Sequence, residues 1–243
     1  MRILHSVLSR GFAGSERSTA ESCNEQCQQH EVQLVVRRSH RSRDGVSIVD
    51  HIDPRVRIVQ VPDRLFTQWM LGRAIKAFKP DVIHCHLRRS TRLVARLQPD
   101  AATVSTLHIG VNGPHFARMG GLVCNARWQL RDVPVGYAGL VHKANNSLTP
   151  HRRLSVSEVQ DLRASLGISP DDFLIGGVGR MSPVKGWDML IKAFRQLPAG
   201  AAFDRARLQI FGAGSATSSL QTLAAGDARI ALPGFRADVK DLY

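Results

Sequence analysis

Short apolar stretches rich in Val, Ile and Leu alternate with segments of helical periodicity along the whole chain. This alternation constrains the fold more than any other feature. The strand-like stretches are Ile3–Leu8, Glu31–Val36, Val56–Val61, Asp81–Leu87, Thr103–Ile109, Gly121–Asn125, Gly139–Lys143, Phe173–Gly179, Leu208–Phe211 and Ile230–Leu232. Between them, Leu65, Trp69, Gly72, Ile75 and Phe78 are spaced to share one helix face, and so are Leu190, Ile191, Phe194 and Leu197. Strands that alternate with helices pair in parallel, because a parallel pair needs a crossover rather than a tight turn. The chain is therefore predicted to be α/β, with two Rossmann-like doubly wound domains.

Its 243 residues suffice for one large domain or two small ones. A polar, turn-rich stretch from Asn145 to Pro150, followed by His151-Arg152-Arg153, marks a boundary. A helical segment, Ser157–Leu166, then leads into the strand at Phe173, where the strand–helix rhythm begins again. The expected division is an N-terminal domain over 1–148, a linker and connecting helix over 149–170, and a C-terminal domain over 171–243. Two doubly wound units so joined would leave a cleft between them. The second unit offers about three strands, where such domains carry about five or six. A new helix begins at Ala237-Asp238-Val239-Lys240, so the second domain is expected to be incomplete.

Composition narrows the class. The chain is 43% hydrophobic and 22% charged, ordinary values for a soluble core-forming protein. No apolar run is long enough to span a membrane, and Met1 to Ser6 lacks the apolar stretch of a secretory signal, so a cytosolic chain is expected. The four cysteines read as small buried hydrophobes rather than a disulfide framework. His84-Cys85-His86 looks like a metal motif at first sight. On a strand, however, the two histidines point one way and Cys85 the other, and no second ligand cluster has zinc-like spacing, so no metal site is expected.

A formal net charge of +13 implies attraction to something anionic. Basic residues gather at Arg37-Arg38-Ser39-His40-Arg41-Ser42-Arg43 and at Arg88-Arg89-Ser90-Thr91-Arg92. With aromatics at only 6%, stacking platforms for single-stranded nucleic acid are hard to assemble, and either run also reads as a solvated face.

The densest local signal runs from Leu174 to Asp188, where a strand ends in Gly177-Val178-Gly179-Arg180 and Lys185 precedes a helix. In open α/β sheets ligands sit at the carboxyl ends of strands. Arg180 stands at such an end, Lys185 lies near the positive pole of the next helix, and both cations can meet one diphosphate. Two ordinary surface cations beside a turn are the alternative. The first βα turn, Ser9 to Glu16, carries Gly11 and Gly14, which would let the backbone approach a phosphate or sugar. It is not a G-x-G-x-x-G fingerprint, and the second strand runs into Arg37-Arg38 rather than an acidic ribose partner. An NADP-dependent oxidoreductase is weakened by this but not removed, and a non-catalytic nucleotide- or nucleic-acid-binding protein is favoured by charge alone. His108, after the strand Thr103–Leu107, would face the cleft, although a lone histidine is often structural. The Gly212-Ala213-Gly214 turn points to no particular ligand.

Together these segments resemble the retaining family 4 glycosyltransferases of the GT-B fold. The likeness is carried by Gly11-Phe12-Ala13-Gly14-Ser15-Glu16-Arg17, by Pro80-Asp81-Val82-Ile83-His84-Cys85-His86 and by Thr106-Leu107-His108. Further matches are Gly177-Val178-Gly179-Arg180 through Lys185-Gly186, Phe211-Gly212-Ala213-Gly214, and the stretch from Leu232-Pro233-Gly234 to Leu242-Tyr243. The resemblance implies that Arg180 and Lys185 bind the donor diphosphate, that Gly14 lets the backbone reach the same phosphates and that His108 touches the transferred sugar. It also implies a UDP- or GDP-sugar as substrate, no metal or other cofactor, and attack on the face the leaving group departs from. The acceptor would be a cell-envelope glycan or a lipid-linked sugar, of lipopolysaccharide or exopolysaccharide type. Arg88 and Arg89 would offer it an anionic-binding surface at the inner face of a membrane, and no nucleic acid is expected. Two spaced glutamates that hold the donor sugar and ribose in the family fall beyond Tyr243, so the chain is expected to be a fragment that holds only the phosphate-binding part of that pocket.

Overall fold

The computed structural model describes residues 1–42, 45–146, 152–198, 200–236 and 238. Arg43 of the first basic run, the turn expected at 147–150 and the helix expected from Ala237 through Lys240 lie outside the described residues, as does the matched stretch at Leu242-Tyr243. The chain forms two compact units, Met1–Thr149 and Pro150–Tyr243.

In the first unit the strands are β1 (Arg2–Val7), β2 (Glu31–Arg37), β3 (Arg57–Val61), β4 (Val82–His86), β5 (Ala102–Leu107), β6 (Gly121–Cys124) and β7 (Leu140–Lys143). They form one sheet in the order β3-β2-β1-β4-β5-β6-β7. Every pairing is parallel, and the chain order reverses between β1 and β4, as in a doubly wound Rossmann sheet. The helices are α1 (Gly14–Gln26), α2 (Thr67–Phe78) and α3 (Leu87–Leu97). Alternation along β1 divides the core between the two faces of the sheet. Ile3 and Val7 pack with Ala20 and Cys23 of α1 and with β2, while Leu4 joins Leu71, Ile75 and Phe78 of α2, Val94 of α3 and Ile83 of β4. All four cysteines are buried and free.

Three local expectations need correction. Leu65 and Trp69 do not share the buried face of α2: they are 77% and 57% exposed, and Thr67, Leu71, Ile75 and Phe78 face the core. The helix begins at Thr67, after Phe66 in a left-handed conformation, so Leu65 lies outside it, while Ile75 and Phe78 of the expected stripe are buried. Leu87 does not end a strand. It opens α3 with φ 65°, a conformation that costs a non-glycine residue about 1–3 kcal/mol. The second basic run is the first half of α3, whose buried face starts with Ser90 and Thr91, and Thr91 Oγ1 bonds Ser105 Oγ at 2.7 Å.

The second unit contains α4 (Val156–Ser165), β8 (Phe173–Val178), α5 (Trp187–Arg195), α6 (Ala201–Asp204), β9 (Ala206–Phe211), α7 (Thr217–Ala224) and β10 (Ile230–Gly234). Its three strands are parallel in the order β10-β9-β8. Ser155 and Glu158 form a reciprocal capping box at the start of α4. Met181, Ile191, Phe194, Leu208, Ile210 and Leu220 build the core. Glycines let the loops after β8 and β9 pack backbone to backbone. A Cβ on Gly212, at φ 143°, would meet the Gly179 carbonyl oxygen at 2.0 Å, and one on Gly214 would meet the Met181 oxygen at 2.2 Å. A Cβ on Gly177 would lie 2.8 Å from the Trp187 ring.

A row of histidines crosses the first sheet on its α1 face. Register sets His5 beside His84, and His86 beside Thr106. His5 Nδ1 lies 3.0 Å from His86 Nε2, and the two rings stack within 15° of parallel. His84 Nε2 bonds Thr106 Oγ1 at 2.7 Å. Burial lowers the pKa of His5 to about 4 and that of His84 to about 3, and it holds His86 well below its ordinary value.

Two outcomes follow from this packing. Gly212→Ala should destabilise the second unit by about 2–3 kcal/mol through forced overpacking. Gly14→Ala, at a helical position with open space around it, should be neutral or slightly stabilising. Thermal melts of both variants compare them directly. The histidine row sets a pH response: an unfolded chain takes up protons near pH 6.5, while the folded row stays neutral. Stability should be full above about pH 6.5 and fall steadily as pH drops toward 4, by roughly 3 kcal/mol from His5 alone. Denaturant midpoints measured from about pH 7 to 5, above most carboxylate titration, read this slope.

Candidate active site

The carboxyl ends of β1, β4 and β5 surround a pocket of about 290 Å³ in the first unit. Leu8 and Ser9 follow β1, Leu87 and Arg88 follow β4, and His108 and Asn112 follow β5. The pocket thus lies where the strand order reverses, the place where open α/β sheets bind ligands. The strained Leu87 turns the chain from β4 directly into α3 at its wall.

His108 is held from two sides. Its Nε2 lies 3.1 Å from His86 Nδ1, and the Leu107 carbonyl just before it accepts from Gln129 Nε2, supplied by the 3-10 turn Arg127–Asp132. Burial lowers the His108 pKa, against the pull of the Glu16 charge, so the ring is neutral at neutral pH. Among the described residues, no partner bonds its Nδ1. Glu16 is buried and ties the first βα loop together, accepting from Ser9 Oγ, from the Ala13 amide at 3.1 Å and from Ser15 Oγ at 2.9 Å. This fixes the loop where Gly14 begins α1, and nothing stands within 4 Å of a Cβ placed on Gly14. The fold does not need glycine there, so the open approach to that backbone is available to a ligand.

The basic residues have different fates. Arg37 pairs with Asp63 at 2.7 Å, and Arg41 forms a two-point pair with Asp50, so these two arginines of the first run are neutralised within the fold. With its guanidinium committed to Asp63, Arg37 is a poor holder for a cofactor 2′-phosphate. Arg89 is half-buried and donates to the Asp63 carbonyl, which secures the start of α2. Arg88 is exposed at the pocket rim. With Arg92 and Arg96 it forms a stripe along α3, which Arg118 joins in lining a second depression.

In the second unit Arg180 directly follows β8 and Gly179, and Lys185 closes the short turn Pro183–Lys185 before α5. The loop between them is clamped. Gly179 N donates to the Phe211 carbonyl at 3.0 Å, Met181 N to the Ala213 carbonyl at 3.0 Å, and Trp187 Nε1 to the Arg180 carbonyl at 3.1 Å. Both cationic side chains are exposed and, among the described residues, neither has an acidic partner. The Gly212-Ala213-Gly214 turn is thus the floor beneath the Arg180 loop. Sequence reading missed His5, Gln26 and Gln129. The only available signal was the shared face of His84 and His86, because their partners come from distant strands and helices.

A model of glycosyltransferase family 4 matches residues 12–137, and one of the glycosyl transferases group 1 matches residues 158–243. No curated protein sequence matches the chain. Among solved structures, HepE of Anabaena in complex with UDP is 18% identical with a TM-score of 0.75, covering 100% of this chain and 71% of its own. A glycosyltransferase from Rickettsia africae is 16% identical with a TM-score of 0.77, covering 100% of this chain and 70% of its own. WaaG, a glycosyltransferase involved in lipopolysaccharide biosynthesis, is 15% identical with a TM-score of 0.68, covering 99% of this chain and 72% of its own. With one family model over just more than half its length and a second over residues 158–243, the chain belongs to glycosyltransferase family 4.

Proposed function

We propose that the protein transfers a sugar, with retention, from a UDP- or GDP-sugar to a cell-envelope glycan or lipid-linked acceptor. The observation that carries this reading is the pair Arg180 and Lys185, two unneutralised cations on a loop clamped at the end of β8. As the bond from the sugar carbon to the diphosphate oxygen breaks, negative charge grows on the leaving group. Fixed cations stabilise that charge without having to reorganise. They meet it directly, so the reading calls for no metal. HepE holds UDP, and UDP-glucose in another crystal, which supports a uridine donor here.

His108 contacts the transferred sugar in this reading, and Gly14 gives the phosphates access to backbone. None of the described residues lining the first unit's pocket is a carboxylate. This favours attack from the departing side over a carboxylate nucleophile: the acceptor oxygen bonds to the sugar carbon as its proton passes to a phosphate oxygen. The stripe of Arg88, Arg92 and Arg96, with Arg118, offers an anionic acceptor or leaflet about 1 kcal/mol per cation. The part of WaaG in lipopolysaccharide biosynthesis supports an acceptor of that type.

Calorimetry with UDP tests the grip. Arg180→Ala combined with Lys185→Ala should weaken binding by about tenfold or more, as expected for lost charge-assisted hydrogen bonds. Equal affinity in the double variant and the wild type would sink the assignment. For the anionic surface, flotation with anionic vesicles should recover the protein at low salt and lose it as salt rises. Replacing Arg88, Arg92 and Arg96 by Gln should abolish the recovery, and an absence of flotation even at low salt counts against the surface.

A further inference from the structure

The buried histidines form a chain that ends at the pocket. Gln26 Oε1, at the end of α1, lies 2.8 Å from His5 Nε2. His5 Nδ1 lies 3.0 Å from His86 Nε2, and His86 Nδ1 lies 3.1 Å from His108 Nε2. Each nitrogen of His5 and His86 is therefore used once. These two rings are fully buried, where an unpartnered or charged imidazole is costly.

An amide oxygen can only accept, so His5 Nε2 must carry the proton and Nδ1 must be bare. The bare His5 Nδ1 requires a proton on His86 Nε2, which leaves His86 Nδ1 bare. That nitrogen in turn requires the proton of His108 on Nε2. We propose that Gln26, His5 and His86 are positioning residues that fix His108 as the Nε2–H tautomer, so that its Nδ1 presents a lone pair to a sugar hydroxyl in the pocket. The consequence for the sugar rests on the reading of His108 given above, whereas the tautomer itself does not.

The same histidines invite a metal reading, since His5, His84 and His86 each place a ligand atom within 4.8 Å of the others. Their geometry opposes it. The rings of His5 and His86 stack rather than converge on one point, their near nitrogens stand at hydrogen-bond distance, and His84 spends Nε2 on Thr106. Among the described residues no carboxylate completes the set.

Nitrogen-15 NMR of the histidine rings reads each tautomer in the free protein. In the wild type His108 should be a single Nε2–H form. Gln26→Leu, at a half-buried helix end, should leave the fold intact but release the chain, giving a mixture of tautomers at His108. Turnover should follow: several-fold lower kcat in Gln26→Leu, with little change in KM for the nucleotide-sugar. The proposal is overturned by an Nδ1–H or mixed His108 in the wild type, by a tautomer indifferent to Gln26→Leu, or by stoichiometric zinc in the purified protein. If His108 has the expected tautomer and His108→Ala still transfers at the full rate, the relay stands and the sugar contact falls.

Discussion

The parallel pairing of β1 with β4 is the constraint on which the first unit depends. It is the point where strand order reverses, so the helices that follow the two strands leave on opposite faces and the carboxyl ends are left open between them. The same register sets His5 beside His84 and Val7 beside His86. A slip of β4 by one residue against β1 would turn both β4 histidines away from α1 and set Cys85 in their place, leaving His5 without them. Pocket and histidine row therefore share one origin.

The second unit places its functional groups differently. Arg180 and Lys185 are exposed, so their positions come from backbone rather than from buried side-chain partners. Gly212 and Gly214 admit the loop that carries Arg180, and the Trp187 indole both covers Gly177 and Gly179 and bonds the Arg180 carbonyl. The glycines in this segment serve close packing of protein on protein at least as much as close approach of a ligand. That explains why a glycine-rich turn alone says so little about what binds.

The ten strands of the described residues were legible from the chain, because each carries a short run rich in apolar β-forming residues, even where, as in β7, the strand is largely exposed. Helix α3 was harder. Its buried face begins with the polar Ser90 and Thr91, of which Thr91 bonds the Leu87 carbonyl and Ser105 Oγ, and its outer face reads as a charge run. The stripe on α2 was misjudged only at its start, where a left-handed Phe66, invisible in a periodicity, leaves Leu65 outside the helix. Arg180 and His108 could be singled out because each follows a recognisable strand, and Lys185 because it precedes a recognisable helix. His5 and Gln26 were not, since only the sheet order and the docking of α1 bring them to His86.

A carboxylate could also orient a histidine, and many enzymes use one for that purpose. Here Glu16 is near enough to pull on the His108 pKa, yet it spends its oxygens on Ser9, Ala13 and Ser15, and the ring is held by another neutral ring instead. The difference matters at this position. A carboxylate partner would favour the imidazolium, and in the proposed role of His108 as the sugar contact such a cation would oppose the positive charge that develops on the ring carbon as the glycosidic bond opens. A chain of neutral imidazoles fixes the direction of the lone pair and adds no charge. Burial, which makes the row a liability in acid, is also what keeps it neutral where neutrality is useful.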